Sequence, residues 1–255
     1  MDKAKKEAPK QTSLVLRSCA GDMTSHGGFV WPGVGEEAVA PDWEATNECG
    51  NGLHGWLHGA GDHSASGYLD SDAKWLVVEV DDDSIRMLGG KVKFPRGVVR
   101  FVGDKQGAAA YIIEHDPLAR NVAVIGASIT VGDKQVACVG ALGTATAGDS
   151  GTATAGDSGT ATAGYSGTAT AGDSGTATAG DYGTATAGDS GTATAGYAGT
   201  ATAGDYGEIR IRYYDHKASR YRTKVGYIGE DRLKAGVAYR LDAKQNFVEV
   251  DEVAA

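Results

Sequence analysis

Between Gly143 and Tyr206 the chain repeats an octapeptide eight times: GTATAGDS, GTATAGDS, GTATAGYS, GTATAGDS, GTATAGDY, GTATAGDS, GTATAGYA and GTATAGDY. A period this short restricts the segment to repeat architectures, in which each unit buries its apolar side only against its neighbours. Within an octad Thr-Ala-Thr-Ala alternates with a period of two. This predicts a strand with threonines on one face and alanines on the other. The Gly-Asp-Ser-Gly or Gly-Tyr-Ser-Gly that follows predicts a corner, with glycine supplying positive φ and aspartate and serine bonding their local backbone. One strand and one corner cannot close a coil. Two octads can, as a flat two-sided coil of sixteen residues.

The tyrosines favour this coil size. With two octads per coil, Tyr165, Tyr182 and Tyr197 share one edge and only Tyr206 falls elsewhere, while the opposite edge stacks Asp157, Asp173, Asp189 and Asp205. With three octads per coil the tyrosines scatter over every side.

Burying threonine hydroxyls unpaired costs about 1–3 kcal/mol each, so alanine is expected inside and threonine outside. The outward set is Thr144, Thr146, Thr152, Thr154, Thr160, Thr162, Thr168 and Thr170, continued by Thr176, Thr178, Thr184, Thr186, Thr192, Thr194, Thr200 and Thr202. Threonines two apart on a strand are separated by roughly 6.5–7 Å and neighbouring coils by about 4.8 Å. A flat grid of methyl and hydroxyl groups at those spacings is a candidate surface for holding water in an ice-like arrangement.

Open solenoid ends expose unpaired strand edges, so a cap is expected at each end. Asn121–Val139 reads as atypical opening coils in which valine and isoleucine fill a wider core. On the C-terminal side Glu208–Tyr214, Arg220–Tyr227, Val237–Leu241 and Phe247–Val250 predict a small β-meander whose isoleucine, tyrosine and phenylalanine cover the alanine core.

On these residues the chain resembles the bacterial ice nucleation proteins. Their sixteen-residue solenoid repeats carry Thr-x-Thr between Ala-Gly corners with a recurring tyrosine, and Thr144-Ala145-Thr146 and its seven copies are similar. Their C-terminal cap is similar in order and spacing to a strand ending in Tyr214-Asp215, then Arg220-Tyr221-Arg222, Gly229-Glu230 and Ala238-Tyr239; Arg210 and Arg212 of EIRIRYY are counted with this cap. The resemblance spans Gly143–Val250. It implies a surface that orders water or binds ice. Separately, four coils make a face only about 19 Å long, so a larger template requires assembly. For this the edge of Tyr165, Tyr182 and Tyr197 and the basic cap from Arg210 to Lys224 could meet the aspartate edge of another copy.

The N-terminal region has different chemistry. Ser13–Arg17, Trp75–Val80, Lys91–Phe94 and Val98–Val102 predict strands of an α+β or mainly β domain. Cys49, His54 and His58 are residue types that bind zinc, and the two histidines sit four apart. On a helix that spacing aligns them; the glycines around them favour a loop. Two other readings stay open: glycine-rich turns with hydrogen-bonded histidines and a buried tryptophan, or a small-molecule or nucleotide pocket.

The predicted layout is a disordered tail over 1–12, a globular domain over 13–120, the solenoid over 121–206 and the cap over 207–255. The fold class is mainly β. The net charge is −9, and the octads hold six aspartates with no lysine or arginine, which argues against nucleic acid as a partner. Three unpaired-looking cysteines, no signal peptide and no long apolar stretch predict a cytoplasmic protein without a membrane span. No cofactor is expected. The primary expectation is a non-enzymatic water-ordering solenoid; the alternatives are an interaction scaffold whose N-terminal domain binds a partner, and a metal-dependent enzyme built on Cys49, His54 and His58.

Overall fold

A computed structural model describes residues 11–250. The chain divides into two compact units, one ending at Val122 and the other beginning at Ala123. The expected N-terminal tail lies outside the described residues up to position 10, and Thr12 already opens the first strand.

Among the described residues the first unit is a seven-stranded antiparallel sheet with one α-helix. Its strands are β1 (Thr12–Cys19), β2 (Glu37–Val39), β3 (Leu53–Leu57), β4 (Lys74–Asp81), β5 (Arg86–Met87), β6 (Val92–Phe94) and β7 (Arg96–Gly103), in the order β2-β7-β4-β1-β3-β6-β5. All four strands expected from sequence are present. Helix α1 (Lys105–His115) packs against β4 and β7 through Ala108, Ala109 and Ile112. Its first turn is closed by Asp104, whose carboxylate accepts the Gly107 N–H at 2.7 Å, the usual N-cap chemistry. Val15, Leu76, Val78, Phe94 and Val99 form the core, and Trp56 stacks on Trp75 at 5.8 Å.

The glycine-rich stretch read as a loop contains β3. It pairs with β1 on one side and β6 on the other. At Gly55 a side chain would meet the Leu16 carbonyl, 2.6 Å from a Cβ placed there, so the glycine permits close strand approach.

The second unit is the solenoid with its cap. Strands β8 (Ser128–Thr130) and β9 (Val136–Cys138) form the opening coil. The octads supply β10 (Thr144–Ala147), β11 (Thr152–Ala155), β12 (Thr160–Ala163), β13 (Thr168–Ala171), β14 (Thr176–Ala179), β15 (Thr184–Ala187), β16 (Thr192–Ala195) and β17 (Thr200–Thr202). Even-numbered strands stack in parallel as one sheet and odd-numbered strands as the other. The ten strands therefore make five two-sided coils. Register repeats every sixteen residues, Thr144 beside Thr160 and Thr152 beside Thr168.

Alanine is inside, as expected. The first alanine of every octad is fully buried and the second nearly so, making a thin dry core. In the opening coil Val124, Ile125 and Val139 are buried, the larger side chains expected there; Val136, by contrast, points out in a threonine column.

The corners work differently from the sequence expectation in two respects. Positive φ belongs to the eighth residue of the octad, not to the glycines: Ser150, Ser166 and Tyr182 have φ of 54°, 51° and 60°. The glycines are needed for space. A Cβ on Gly151 would lie 2.8 Å from the Ala147 Cβ, and one on Gly164 would lie 2.8 Å from the Asp149 nitrogen. The aspartates also do not bond locally. Five of the six octad aspartates reach one coil onward; on one edge Asp157 Oδ1 accepts the Asp173 N–H at 3.1 Å, Asp173 Oδ1 that of Asp189 at 3.0 Å, and Asp189 Oδ1 that of Asp205 at 2.8 Å. A short hairpin loop has no neighbour at this distance, whereas a stacked corner presents an N–H from the next coil about 4.8 Å away.

The cap's strands are β18 (Glu208–Asp215), β19 (Arg220–Tyr227), β20 (Tyr239–Leu241) and β21 (Phe247–Glu249). They form two consecutive antiparallel hairpins, one extending each sheet: β18 joins β16 and β20 joins β17. Ile209 and Ile211 continue the columns of Ala193 and Ala195, and with Ile228, Leu233 and Tyr239 they bury the end of the alanine core.

Candidate functional site

Because register is fixed at sixteen residues, the outward threonines form straight columns. On one sheet Thr144, Thr160, Thr176 and Thr192 make one column, and Thr146, Thr162, Thr178 and Thr194 the next. On the other sheet the columns are Thr152, Thr168, Thr184 and Thr200, and Thr154, Thr170, Thr186 and Thr202. All sixteen are exposed or half-buried. Among the described residues none of their hydroxyls hydrogen-bonds another protein group, so each is free to bond water. Four strands give a grid about 19 Å long.

The columns have defined ends. Ser128 and Thr130 precede Thr144 and Thr146, whereas Val136 and Cys138 precede Thr152 and Thr154. After Thr192 and Thr194 come Glu208 and Arg210.

The tyrosine edge is assembled, and it is longer than the sequence indicates. Tyr165 meets Tyr182 at 5.4 Å between ring centroids, and Tyr182 meets Tyr197 at 6.0 Å. Tyr197 then contacts Tyr221 of the cap at 6.1 Å, and Tyr221 contacts Tyr214 at 5.2 Å. The Arg212 guanidinium lies 4.0 Å over the Tyr221 ring. Tyr206 stands apart at 89% exposure. The hairpin pairing that brings Tyr221 onto this edge is a tertiary fact with no signature in the octads.

The remaining cap residues mostly hold the cap. Asp215 accepts the N–H groups of Lys217 and Ala218, both at 3.0 Å, and the Arg222 Nε at 2.7 Å. The backbone bond from Ala218 leads the contributions that keep its carboxyl below the usual range. Arg220 pairs with Asp215 in the β18–β19 register. Glu230 turns the chain by its backbone, its N–H donating to the Tyr227 carbonyl and its own carbonyl accepting from Leu233. The buried Tyr239 hydroxyl accepts the Lys234 N–H at 2.8 Å.

Cys49, His54 and His58 do not converge. Cys49 is exposed. His58 follows β3 and bonds through Nδ1 to Asp116 Oδ2 at 2.7 Å, a contact 58 residues apart in sequence that ties β3 to the end of α1. His54 lies within β3 and its Nε2 is buried without a partner. Among the described residues no group of three His, Cys, Asp or Glu side chains is placed to hold a metal.

The second unit therefore defines a class: a capped, two-sided parallel β-solenoid carrying a threonine grid on each sheet. The chain is similar to bacterial ice nucleation proteins. It is 40% identical over 106 residues to ice nucleation protein InaU of Pantoea ananas, covering 40% of this chain and 10% of that protein. It is 43% identical over 102 residues to an ice nucleation protein of Pseudomonas syringae, covering 39% and 9%, and 38% identical over 109 residues to one of Xanthomonas campestris pv. translucens, covering 41% and 7%. The chain thus spans about a tenth or less of the length of these curated relatives. Residues 13–114 match a family described as a domain of unknown function, DUF7666. No solved structure matches the chain.

Proposed function

We propose that the threonine grids order water into an ice-like layer, so that the solenoid binds ice without enzymatic chemistry. The observation that carries this reading is the in-register set of threonine columns with hydroxyls free of protein partners. Methyls at regular spacing hold water in fixed positions and hydroxyls bond it. Similarity to relatives named ice nucleation proteins supports an ice-related role.

A face about 19 Å long suffices to hold a crystal surface but is small as a template for starting one. Nucleation on this account requires self-association. The half-exposed rings of Tyr165, Tyr182 and Tyr197 on one edge, the basic strand Arg220–Lys224 and the aspartate edge supply complementary surfaces for it. We place the protein in the cytoplasm, a reading supported by the free, exposed thiols of Cys49 and Cys138.

The test is ice shaping and droplet freezing with wild type and with Thr146→Lys plus Thr162→Lys, adjacent positions in one column. The account predicts that the variant no longer faces ice crystals on that sheet and freezes at a lower temperature. Equal behaviour of the two proteins would remove the threonines from the mechanism.

A further inference from the structure

The antiparallel unit contains a pocket that water ordering does not use. Beside Gly55 of β3, whose missing side chain lets the strand approach the Leu16 carbonyl closely, lies a cavity of about 40 Å³. Arg17, Ser18, His54, Trp56, Ser66 and Lys91 line it. The volume admits about three water-sized groups.

Its lining combines two cations with neutral hydrogen-bonding groups. The Arg17 Nε donates to the Ser18 carbonyl at 3.1 Å and Nη1 to the His54 carbonyl at 3.0 Å, while the guanidinium lies 4.6 Å from the Trp31 ring centroid. Among the described residues no carboxylate is within ion-pair distance of it. Burial lowers the Arg17 pKa to about 10, the direction expected of a cation that neutral carbonyls compensate only in part. Lys91 adds a second positive charge. Asp62, a carboxylate that feels the Lys91 charge, accepts the Ser64 amide at 2.9 Å and hydroxyl at 2.7 Å.

Two neutral groups complete the lining. Ser18 Oγ and Ser66 Oγ lie 2.8 Å apart, so one hydroxyl hydrogen joins them and the other is left to donate. The His54 Nε2 is a buried polar atom without a partner, a rare condition in a folded chain unless something else satisfies it. In the unit's larger cavity, about 250 Å³ beside Glu79, Arg100, Tyr111 and Asp116, these charges are paired: Arg100 with Glu79, and Asp116 with His58.

We propose that this pocket binds an oxyanion group, a phosphate or a carboxylate, held by Arg17 and Lys91 with the Ser18–Ser66 hydroxyl pair and the His54 ring as its neutral partners. The cavity encloses the oxyanion alone, so the rest of a larger ligand lies outside it.

The test follows the His54 imidazole resonances of the full chain by NMR during titration with inorganic phosphate and, separately, acetate at constant ionic strength. The expected result is a saturable shift with at least one anion, weakened about fivefold or more in Lys91→Gln and also weakened in Ser66→Ala. A response to phosphate alone identifies a phosphorylated ligand, and a response to acetate alone a carboxylate. Both residues are only partly buried, and circular dichroism confirms folding. No saturable shift with either anion, or equal affinity in wild type and Lys91→Gln, overturns the proposal.

Discussion

Glu208 and Arg210 stand in register with Thr192 and Thr194 and bond each other, Arg210 Nε to Glu208 Oε1 at 2.8 Å and Nη2 to Oε2 at 3.0 Å. The two threonine columns of that sheet therefore end on a bidentate ion pair. Both side chains keep substantial contact with solvent, so the pair contributes only about 0–1 kcal/mol to stability. Its position matters more, because it breaks the methyl-hydroxyl lattice where β18 would extend it. Replacing both residues by threonine is expected to lengthen the grid by one strand and raise the droplet freezing temperature at matched concentration, with the unfolding midpoint nearly unchanged.

The corners make opposite predictions for neighbouring positions. A methyl added at Gly172 would lie 2.7 Å from the Asp157 nitrogen of the preceding coil, so Gly172→Ala is expected to destabilise the solenoid by about 2 kcal/mol or more. Ser174, two residues on, holds φ at 54°, where glycine is unstrained. Ser174→Gly is expected to be neutral or stabilising by up to about 1 kcal/mol. Thermal unfolding followed by circular dichroism distinguishes the two, and a larger loss at Ser174 would contradict this view of the corner.

The tyrosine edge is expected to matter more for association than for folding. Aromatic pairs contribute about 0.5–1.5 kcal/mol each beyond simple burial. Tyr165→Ala with Tyr182→Ala removes two ring contacts, Tyr165–Tyr182 and Tyr182–Tyr197. The variant should remain folded, with a loss of about 1–3 kcal/mol, and sediment as a smaller species than wild type. An unchanged sedimentation profile would exclude this edge from the assembly.

His54 gives the antiparallel unit a pH dependence. Burial, with Lys91 and Arg17 adding to it, lowers its pKa from 6.5 to about 4. As pH falls, the unfolded chain binds the proton first. The histidine's contribution is fully present above pH 6.5 and is lost progressively between 6.5 and about 4. The four tryptophans, Trp31, Trp43, Trp56 and Trp75, all lie in this unit, so their fluorescence reports its unfolding alone. The urea midpoint of wild type should drop across that window, and His54→Gln should flatten the drop.

The solenoid was legible in the sequence because its rules are local. Alternation places Ala145 inside and Thr146 outside, and the recurrence of Tyr165, Tyr182 and Tyr197 selects sixteen residues per coil. Ile209 and Ile211 in the alanine columns were readable as a plug for the same reason. The corner bonds were not legible, because the partner of Asp173 is an N–H sixteen residues away. The strand at Leu53–Leu57 was hidden by composition: glycine and histidine favour a loop until pairing on both sides requires Gly55 to be small. The pairing of His58 with Asp116 and the pocket beside Arg17 depend on how distant strands meet, which no spacing in the sequence encodes.

The central claim is that the threonine columns are the working surface. It is tested most directly by droplet freezing temperature measured across protein concentration for wild type and for a variant with lysine at Thr146, Thr162, Thr154 and Thr170, which interrupts a column on each sheet. The account predicts freezing above buffer for wild type, rising with concentration, and freezing indistinguishable from buffer for the folded variant. A folded variant that freezes droplets as warmly as wild type at every concentration would contradict it.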